Sequence, residues 1–304
     1  MIGLTDFITE MAWEDAFIHW FVLVDDAYQA LERHFGQWRR RGPTPGFSDS
    51  EVITVGLIID TWFGGDEAKG LSFLRQYHAD LFPALPTEGH FNERRRQLRL
   101  ITEQVRRCLL NTFQLIEADD RQRLMDSVPV PVCGYGRAAR CDTLAGPEYV
   151  GYIPTKKARF FGCRLQTTVT LAQVVDDWML APGARKDGKM MFDLLSDSHD
   201  LVIFSDNAYN DPAESRLLQL KHNIRIWAVP RKDAQHPWPE AFRRLVKKVR
   251  LRVETAFSVL TTVFKIQQPG SRSRSGLVTR TASKLLAYTL CFVTAPLFAT
   301  GELG

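Results

Sequence analysis

Apolar positions recur at a helical period through the first third of the chain and change to short, dense runs in its second half. From Asp6 to about His34, Phe7, Met11, Phe17, Phe21, Val24, Tyr28 and Leu31 are spaced for the buried face of one or two helices. Gly42 to Gly46, with Pro43 and Pro45, predicts a loop. Ser48 followed by Glu51 predicts a capping box that opens the next helix ahead of an apolar run. Helices are expected over Leu71 to Tyr77 and from about Phe91 to Glu117, and nothing before residue 120 alternates as a strand does.

Beyond residue 120 the pattern changes. Leu124 to Val132, Phe160 to Leu171, Val174 to Leu180, Leu201 to Ser205 and Ile224 to Val229 are apolar or β-branched runs bounded by Gly, Pro, Asp or Asn, and each predicts a strand. Pro129 and Pro131 are expected to end the first of these early. Helices are expected over Gly188 to Leu195, Pro212 to Lys221 and Pro239 to Phe264, the last with a core stripe of Leu245, Val249, Val253, Ala256, Phe257, Leu260 and Phe264. Three strands, a helix, a strand, a helix, a strand and a long helix is the order of a ribonuclease-H-like fold. The expected architecture is therefore α/β, with an all-α N-terminal domain over 1–120 and an RNase-H-like catalytic core over 121–304 that includes a C-terminal helix.

Composition narrows the class. A chain of 304 residues with 45% apolar and 24% charged residues is a globular protein of one or two domains, which excludes a disordered or fibrous chain. The apolar stretch Leu285 to Ala299 falls short of the roughly 18 to 20 residues of a membrane span and contains Pro296, so a buried helix is expected. Met1 to Trp20 carries Asp6, Glu10, Glu14 and Asp15 and no export signal, so a cytoplasmic location is expected. Five cysteines without a CxxC pair argue against a disulfide framework or a zinc ribbon. His78, His90, His199, His222 and His236 have no zinc-ligand spacing. There is no Walker A segment, Gly134-Tyr135-Gly136 is too short for a dinucleotide loop, and Ser127 and Ser258 lack a nucleophile elbow.

The net charge of +4 understates the local field, because the cations are clustered. Arg94, Arg95, Arg96 and Arg99 form one run, Arg243, Arg244, Lys247, Lys248, Arg250 and Arg252 a second, and Arg272, Arg274 and Arg280 a third. Such runs can neutralise phosphates and point to nucleic acid, although a solvated helix face is the ordinary alternative for any one of them. Lys156, Lys157 and Arg159 join the DNA-facing expectation by charge alone.

Three acids stand where an α/β scaffold presents ligands: Asp126 inside the first strand, Asp206 at the end of the fourth, and Glu254 on the long helix. Carboxylates that converge on one point supply the hard oxygen ligands that two-metal phosphodiester chemistry requires. Asp126 sits among Met125, Val128 and Val130, where an uncompensated charge is costly and a cation is needed. The ordinary alternatives are an Asp126–arginine pair, a turn cap at Asp206 and a Glu254–Arg250 ion pair.

Asp126-Ser127-Val128-Pro129-Val130-Pro131-Val132-Cys133, Ser205-Asp206-Asn207-Ala208-Tyr209 and Arg252-Val253-Glu254-Thr255-Ala256-Phe257-Ser258-Val259-Leu260 resemble the three blocks of DDE transposases, particularly the nine-eighty-two family of insertion sequences. The likeness covers about residues 45 to 290. It departs from the family where Ser205, Asn207 and Ala208 replace the Gly, Lys and Gly of a Gly-Asp-Lys-Gly-Tyr block. A Tyr-Arg-Glu-Lys signature is met only at Arg250 and Glu254, with Lys247 and Thr261 in its outer positions. The resemblance implies a catalytic and metal-binding triad of Asp126, Asp206 and Glu254, two Mg²⁺ or Mn²⁺ ions, and cleavage and strand transfer of DNA. Arg94, Arg95, Arg96, Arg99, Lys247, Arg250 and Tyr209 are the expected DNA contacts, the terminal inverted repeats and target DNA the expected partners, and a homodimer the expected assembly. A metal-dependent nuclease of the same fold and a catalytically inactive DNA-binding regulator are the competing expectations.

Overall fold

The computed structural model describes residues 13–38, 45–117, 119–230 and 238–299. The start of the first expected helix at Asp6, the acids Asp6 and Glu10, the loop residues 42–44 with Pro43, and His236 lie outside them. Helices α1 (Trp13–Phe35), α2 (Asp49–Trp62), α3 (Glu67–Tyr77), α4 (Glu88–Gln97) and α5 (Arg99–Thr112) precede a sheet. The sheet comprises β1 (Gln122–Cys133), β2 (Val150–Ile153), β3 (Ala158–Thr170), β4 (Val175–Pro182), β5 (Val202–Ser205) and β6 (Arg225–Ala228). Helices α6 (Met191–Leu194), α7 (Pro212–His222) and α8 (Glu240–Thr262) alternate with or follow its later strands, and α9 (Arg274–Ala299) comes last. The chain is mixed α/β and divides into two compact units, Met1–Leu115 with Val259–Gly304, and Ile116–Ser258.

In the first unit the capping box forms as the sequence predicts. The Ser48 hydroxyl accepts from Glu51 N at 3.1 Å, and the Glu51 carboxylate accepts from Ser48 N. Helix α2 is buried continuously from Val52 through Asp60, the signature of a central helix with neighbours on all sides. Helix α9, expected as a buried C-terminal helix, packs on α5, α2 and α4 and so belongs to this helical unit rather than to the sheet unit, where the expected division of 121–304 had put it. Its polar residues are tolerated inside because their hydroxyls bond back one turn, Thr281 to Leu277 O at 2.9 Å, Thr289 to Leu285 O at 3.0 Å and Thr294 to Leu290 O at 2.9 Å. Among the described residues no helix is long and apolar enough to cross a membrane.

The helix expected from Phe91 to Glu117 is two helices that meet at buried Leu98, which lets Phe91 on one and Val105 and Leu109 on the other reach the core separately. Arg95 lies on the first of them and is only 4% exposed. It pairs with Asp60, with Glu67 at 3.0 Å and with the Ser283 hydroxyl at 3.0 Å, while Arg280 reaches Glu67 at 3.1 Å. Buried carboxylates this close to a guanidinium hold it by charge and directional bonds together.

In the second unit the strand order is β2-β3-β1-β5-β6, with β4 also paired to β3. β3 is antiparallel to β1, β2 and β4, whereas β5 is parallel to β1 and β6 is parallel to β5. The five expected strands are present, and β2 is an addition that its brevity and central Gly151 concealed. Pro129 and Pro131 do not end β1. Both lie beyond Met125, the last residue paired with β5, so a nitrogen turned to that side breaks no ladder bond. On one face Met125, Ile203, Met191, Leu194, Leu201, Leu218 and Ile224 form an apolar cluster with Tyr209. The stripe of α8 uses Val246, 2% exposed, in place of Leu245, which is 57% exposed.

Arg95→Ala removes the guanidinium from two buried carboxylates, and a loss of about 3–5 kcal/mol in folding stability is expected. Urea denaturation of the two proteins checks this, and a loss below about 1 kcal/mol would mean that Arg280 alone suffices for Asp60 and Glu67.

Candidate functional site

Parallel β1 and β5 are in register through Met125 and Ser205, and Asp126 and Asp206 are the next residues on each. Two carboxylates therefore leave neighbouring strands at the carboxyl end of their pairing, where open α/β sheets place ligands. Strand alternation sends Met125 into the apolar cluster and Asp126 to the other face. There Asp126 Oδ2 lies 3.4 Å from Arg250 Nη2 of α8, and Oδ1 accepts from Ser127 N at 2.8 Å. Asp206 caps the 3-10 turn Asn207–Tyr209, its Oδ1 accepting from Ala208 N at 2.8 Å.

A third carboxylate, Asp187, stands beside them and was not singled out from the sequence. It opens the 3-10 turn Asp187–Met190 after β4, and its Oδ1 accepts from Ser127 Oγ at 3.1 Å and from Gln166 Nε2 at 2.5 Å. Ser127 and Gln166 are cross-strand partners on β1 and β3, and Gln166 Oε1 accepts from the Tyr209 hydroxyl at 2.5 Å. The turn is fixed from below as well. A Cβ at Gly188 would stand 3.1 Å from Ala208 O, so a larger residue there would crowd the close packing of the Asp187 turn on the Asp206 turn. Lys189 and Asp211 pair at 2.8 Å between the same two segments. A lone acid in Arg185-Lys186-Asp187-Gly188 carries only a turn signal, which explains why sequence patterning passes over it.

These charges act on one another. Burial pushes the Asp126 carboxyl up to about 6, the Ser127 N–H and Arg250 oppose the rise, and the negative charges of Asp206 and Asp187 add to it. The Tyr209 hydroxyl is driven well above its ordinary value, first by burial and then by Asp187, Asp126 and Asp206.

The other sequence-predicted residues are distributed differently. Glu254 is exposed on α8, and the α8 side chain that meets Asp126 is Arg250, one turn earlier on the same row. Lys247 is exposed. Tyr209 is 1% exposed and is committed to Gln166, so it supports the site from within and is not a DNA-facing side chain. Arg95 is likewise withdrawn by Asp60 and Glu67. Arg94 pairs with Asp49 and bonds Phe47 O, while Arg96 and Arg99 are half-buried and reach helix carbonyls.

The donor chemistry of the sheet site suits a hard divalent cation. The carboxylates offer only oxygen ligands, and Thr167, the cross-strand partner of Asp126, carries a buried hydroxyl without a hydrogen-bond partner among the described residues. Among those residues no three His, Cys, Asp or Glu side chains already surround one point. Asp126 and Asp206 are the pair available, and Mg²⁺ is commonly held by one or two carboxylates with water and substrate phosphate. A scan of the chain against models of known protein families finds no match, and a search of curated proteins finds none either.

The raised Asp126 carboxyl sets a pH dependence with a definite sign. A carboxyl whose folded value lies above its unfolded value near 3.8 favours the folded state below that pH and loses this contribution as pH rises through about 6. Asp126→Asn is therefore expected to be more stable than the parent at pH 8, by about 1–3 kcal/mol, with the gain shrinking from pH 6 to pH 4. Thermal denaturation of both proteins across that range measures it, and a gain independent of pH would assign the effect to something other than this charge.

Proposed function

We propose that this protein is a DNA transposase of the DDE type with an RNase-H-like core, cutting DNA at the ends of an insertion sequence and joining them to target DNA. The observation that carries the reading is the placement of Asp126 and Asp206 next to each other just beyond the paired stretch of parallel β1 and β5, with Asp126 buried near the charges of Asp206 and Asp187. The antiparallel pairing of β4 with β3 and of β3 with β1, followed by parallel β5 and β6, supports the RNase-H-like core.

In this reading Asp126 and Asp206 hold divalent ions, Mg²⁺ or Mn²⁺, and Glu254 is the third acid. Bound ions supply activation of water or of a DNA 3′-hydroxyl and stabilisation of the leaving oxygen. The chain's own residues orient the reacting groups. Ser127 N fixes one oxygen of Asp126 and Ala208 N one oxygen of Asp206, so each carboxylate presents its other oxygen in a set direction. Tyr209 and Gln166 anchor the Asp187 turn behind them. Exposed Lys247 and half-buried Arg250 on α8 contact phosphates, and Arg94, Arg96 and Arg99 serve the recognition of terminal repeats by the helical unit. The partners are the terminal inverted repeats and target DNA in the bacterial cytoplasm, engaged by a homodimer because two ends are held at once.

One observation favours a second reading, a DNA-binding regulator without chemistry: Asp206 already caps a turn and Asp126 already faces an arginine. Incubating the protein with a labelled DNA end and Mn²⁺, beside Asp206→Ala, separates the two. Nicked and joined products from the parent, both reduced at least about a hundredfold in the variant, are expected of a transposase that uses this pair. Nicking without joining identifies a nuclease, and binding without cleavage a regulator.

A further inference from the structure

Beside the carboxylates lies an open groove of about 890 Å³, lined by Tyr152, Arg164, Arg185, Lys186, Asp187 and Asn207 among others. Its chemistry is unlike that of the acids next to it. Arg185 and Lys186 are exposed and have no ionic partner among the described residues. Arg164 is oriented from two sides, donating to Tyr152 O at 2.7 Å with its guanidinium 5.6 Å from the centre of the Phe160 ring. Tyr152, half exposed on edge strand β2, lines the groove. Tyr152 is the register partner of Arg159, whose Nη1 lies 3.4 Å from the hydroxyl of a second exposed tyrosine, Tyr135. The floor is set by glycine: a Cβ at Gly183 would stand 2.8 Å from Gly162 O and 2.9 Å from Tyr149 O.

We infer that this groove binds an unpaired stretch of DNA strand, with Tyr152 stacking on a base and Arg164, Arg185 and Lys186 taking the phosphates. Exposed aromatic rings interleaved with cations are how proteins hold single strands, because every unpaired base has a π-face whereas a duplex hides its own. The volume points the same way. It lies within the range of roughly 300–1,000 Å³ typical of sites for single small ligands, room for a short piece of one strand. Asp187 and Asn207 add an acceptor and a donor for base edges. Asp187 also connects the groove to the acids, since it bonds Ser127, the residue after Asp126. A strand lying in the groove is thereby led to the carboxylate pair. The inference rests on the nucleic-acid reading of that pair and specifies the form of DNA it receives.

The test is binding in EDTA, where no metal-dependent cleavage occurs. A fluorescein-labelled deoxythymidine oligonucleotide is titrated with the full chain and followed by anisotropy, with a duplex of the same length as competitor. The single strand is expected to bind the parent at least about fivefold more tightly than Tyr152→Ala, with Tyr152→Phe within about twofold of the parent because the ring is kept. Arg185→Ala with Lys186→Ala is expected to weaken binding and to lower the salt slope by about 0.7 for each phosphate that is no longer neutralised. Circular dichroism of each variant against the parent establishes that it is folded. Equal binding by Tyr152→Ala and Tyr152→Phe, or a duplex that displaces the oligonucleotide as well as unlabelled single strand does, overturns the inference. Because this binding needs no chemistry, its success beside a failed cleavage assay removes the transposase reading and keeps the groove, and the opposite pattern does the reverse.

Discussion

Burial of Asp126 beside a second carboxylate on the adjacent parallel strand is the constraint around which this end of the sheet is organised. The β1–β5 register ends at Met125 and Ser205, so the chain has no freedom to separate Asp126 from Asp206 without giving up the central ladder of the sheet. Several features nearby act to contain that cost. Each acid accepts a backbone N–H at 2.8 Å, which spreads its charge into the main chain. The Tyr209–Gln166–Asp187–Ser127 chain of hydrogen bonds satisfies polar groups that burial has removed from water. Gly188 then allows the two acidic turns to touch.

The helical unit solves the same problem in the opposite way. Asp60 and Glu67 are buried there too, but they enclose Arg95, and Arg280 closes on Glu67 from α9. Lys284 in the same helix is held below its ordinary value by burial, with Asp60 opposing the shift, and it donates to Phe264 O and Lys265 O. Charges of both signs meet in one place and offset one another, although Asp60 Oδ1 is left without a hydrogen-bond partner among the described residues. In the sheet unit the acids meet mainly acids, with one arginine at the edge of reach. The ion network of the helical unit and the proposed site of the sheet unit thus differ in the sign of the neighbours and not in burial alone.

This difference explains what was legible in the sequence. Five strands could be read because β-branched runs bounded by Gly, Pro and Asp carry their own local signal, and the Ser48–Glu51 cap because both partners lie within one turn. Asp126 and Asp206 stood out because they interrupt or end apolar strands. What escaped was set by partners distant in the chain. Arg95 reads as part of a basic run, and its acids lie 28 and 35 residues away. Asp187 becomes notable only when β3 and β1 bring Gln166 and Ser127 to it. α9 shows the apolar content of a core helix, yet nothing local says which core it joins.

The α8 helix presents the remaining question as one of register. Arg250 and Glu254 share a row one turn apart, so whichever side chain lies opposite Asp126 decides whether that carboxylate meets a cation or a further acid. Arg250 occupies the position, but at 3.4 Å, well beyond the roughly 2.7–2.9 Å of a strong charge-assisted bond. The contact is correspondingly weak, and the Asp126 carboxyl stays raised to about 6 in spite of it. A residue held only for folding would gain by a closer pair or by loss of the acid altogether, since surface and half-buried acids are readily replaced. An under-compensated carboxylate near two others, beside the unsatisfied Thr167 hydroxyl, costs stability in this unit. Such a local conflict between sequence and stability is in keeping with the proposed cation site, where a bound positive charge would relieve it.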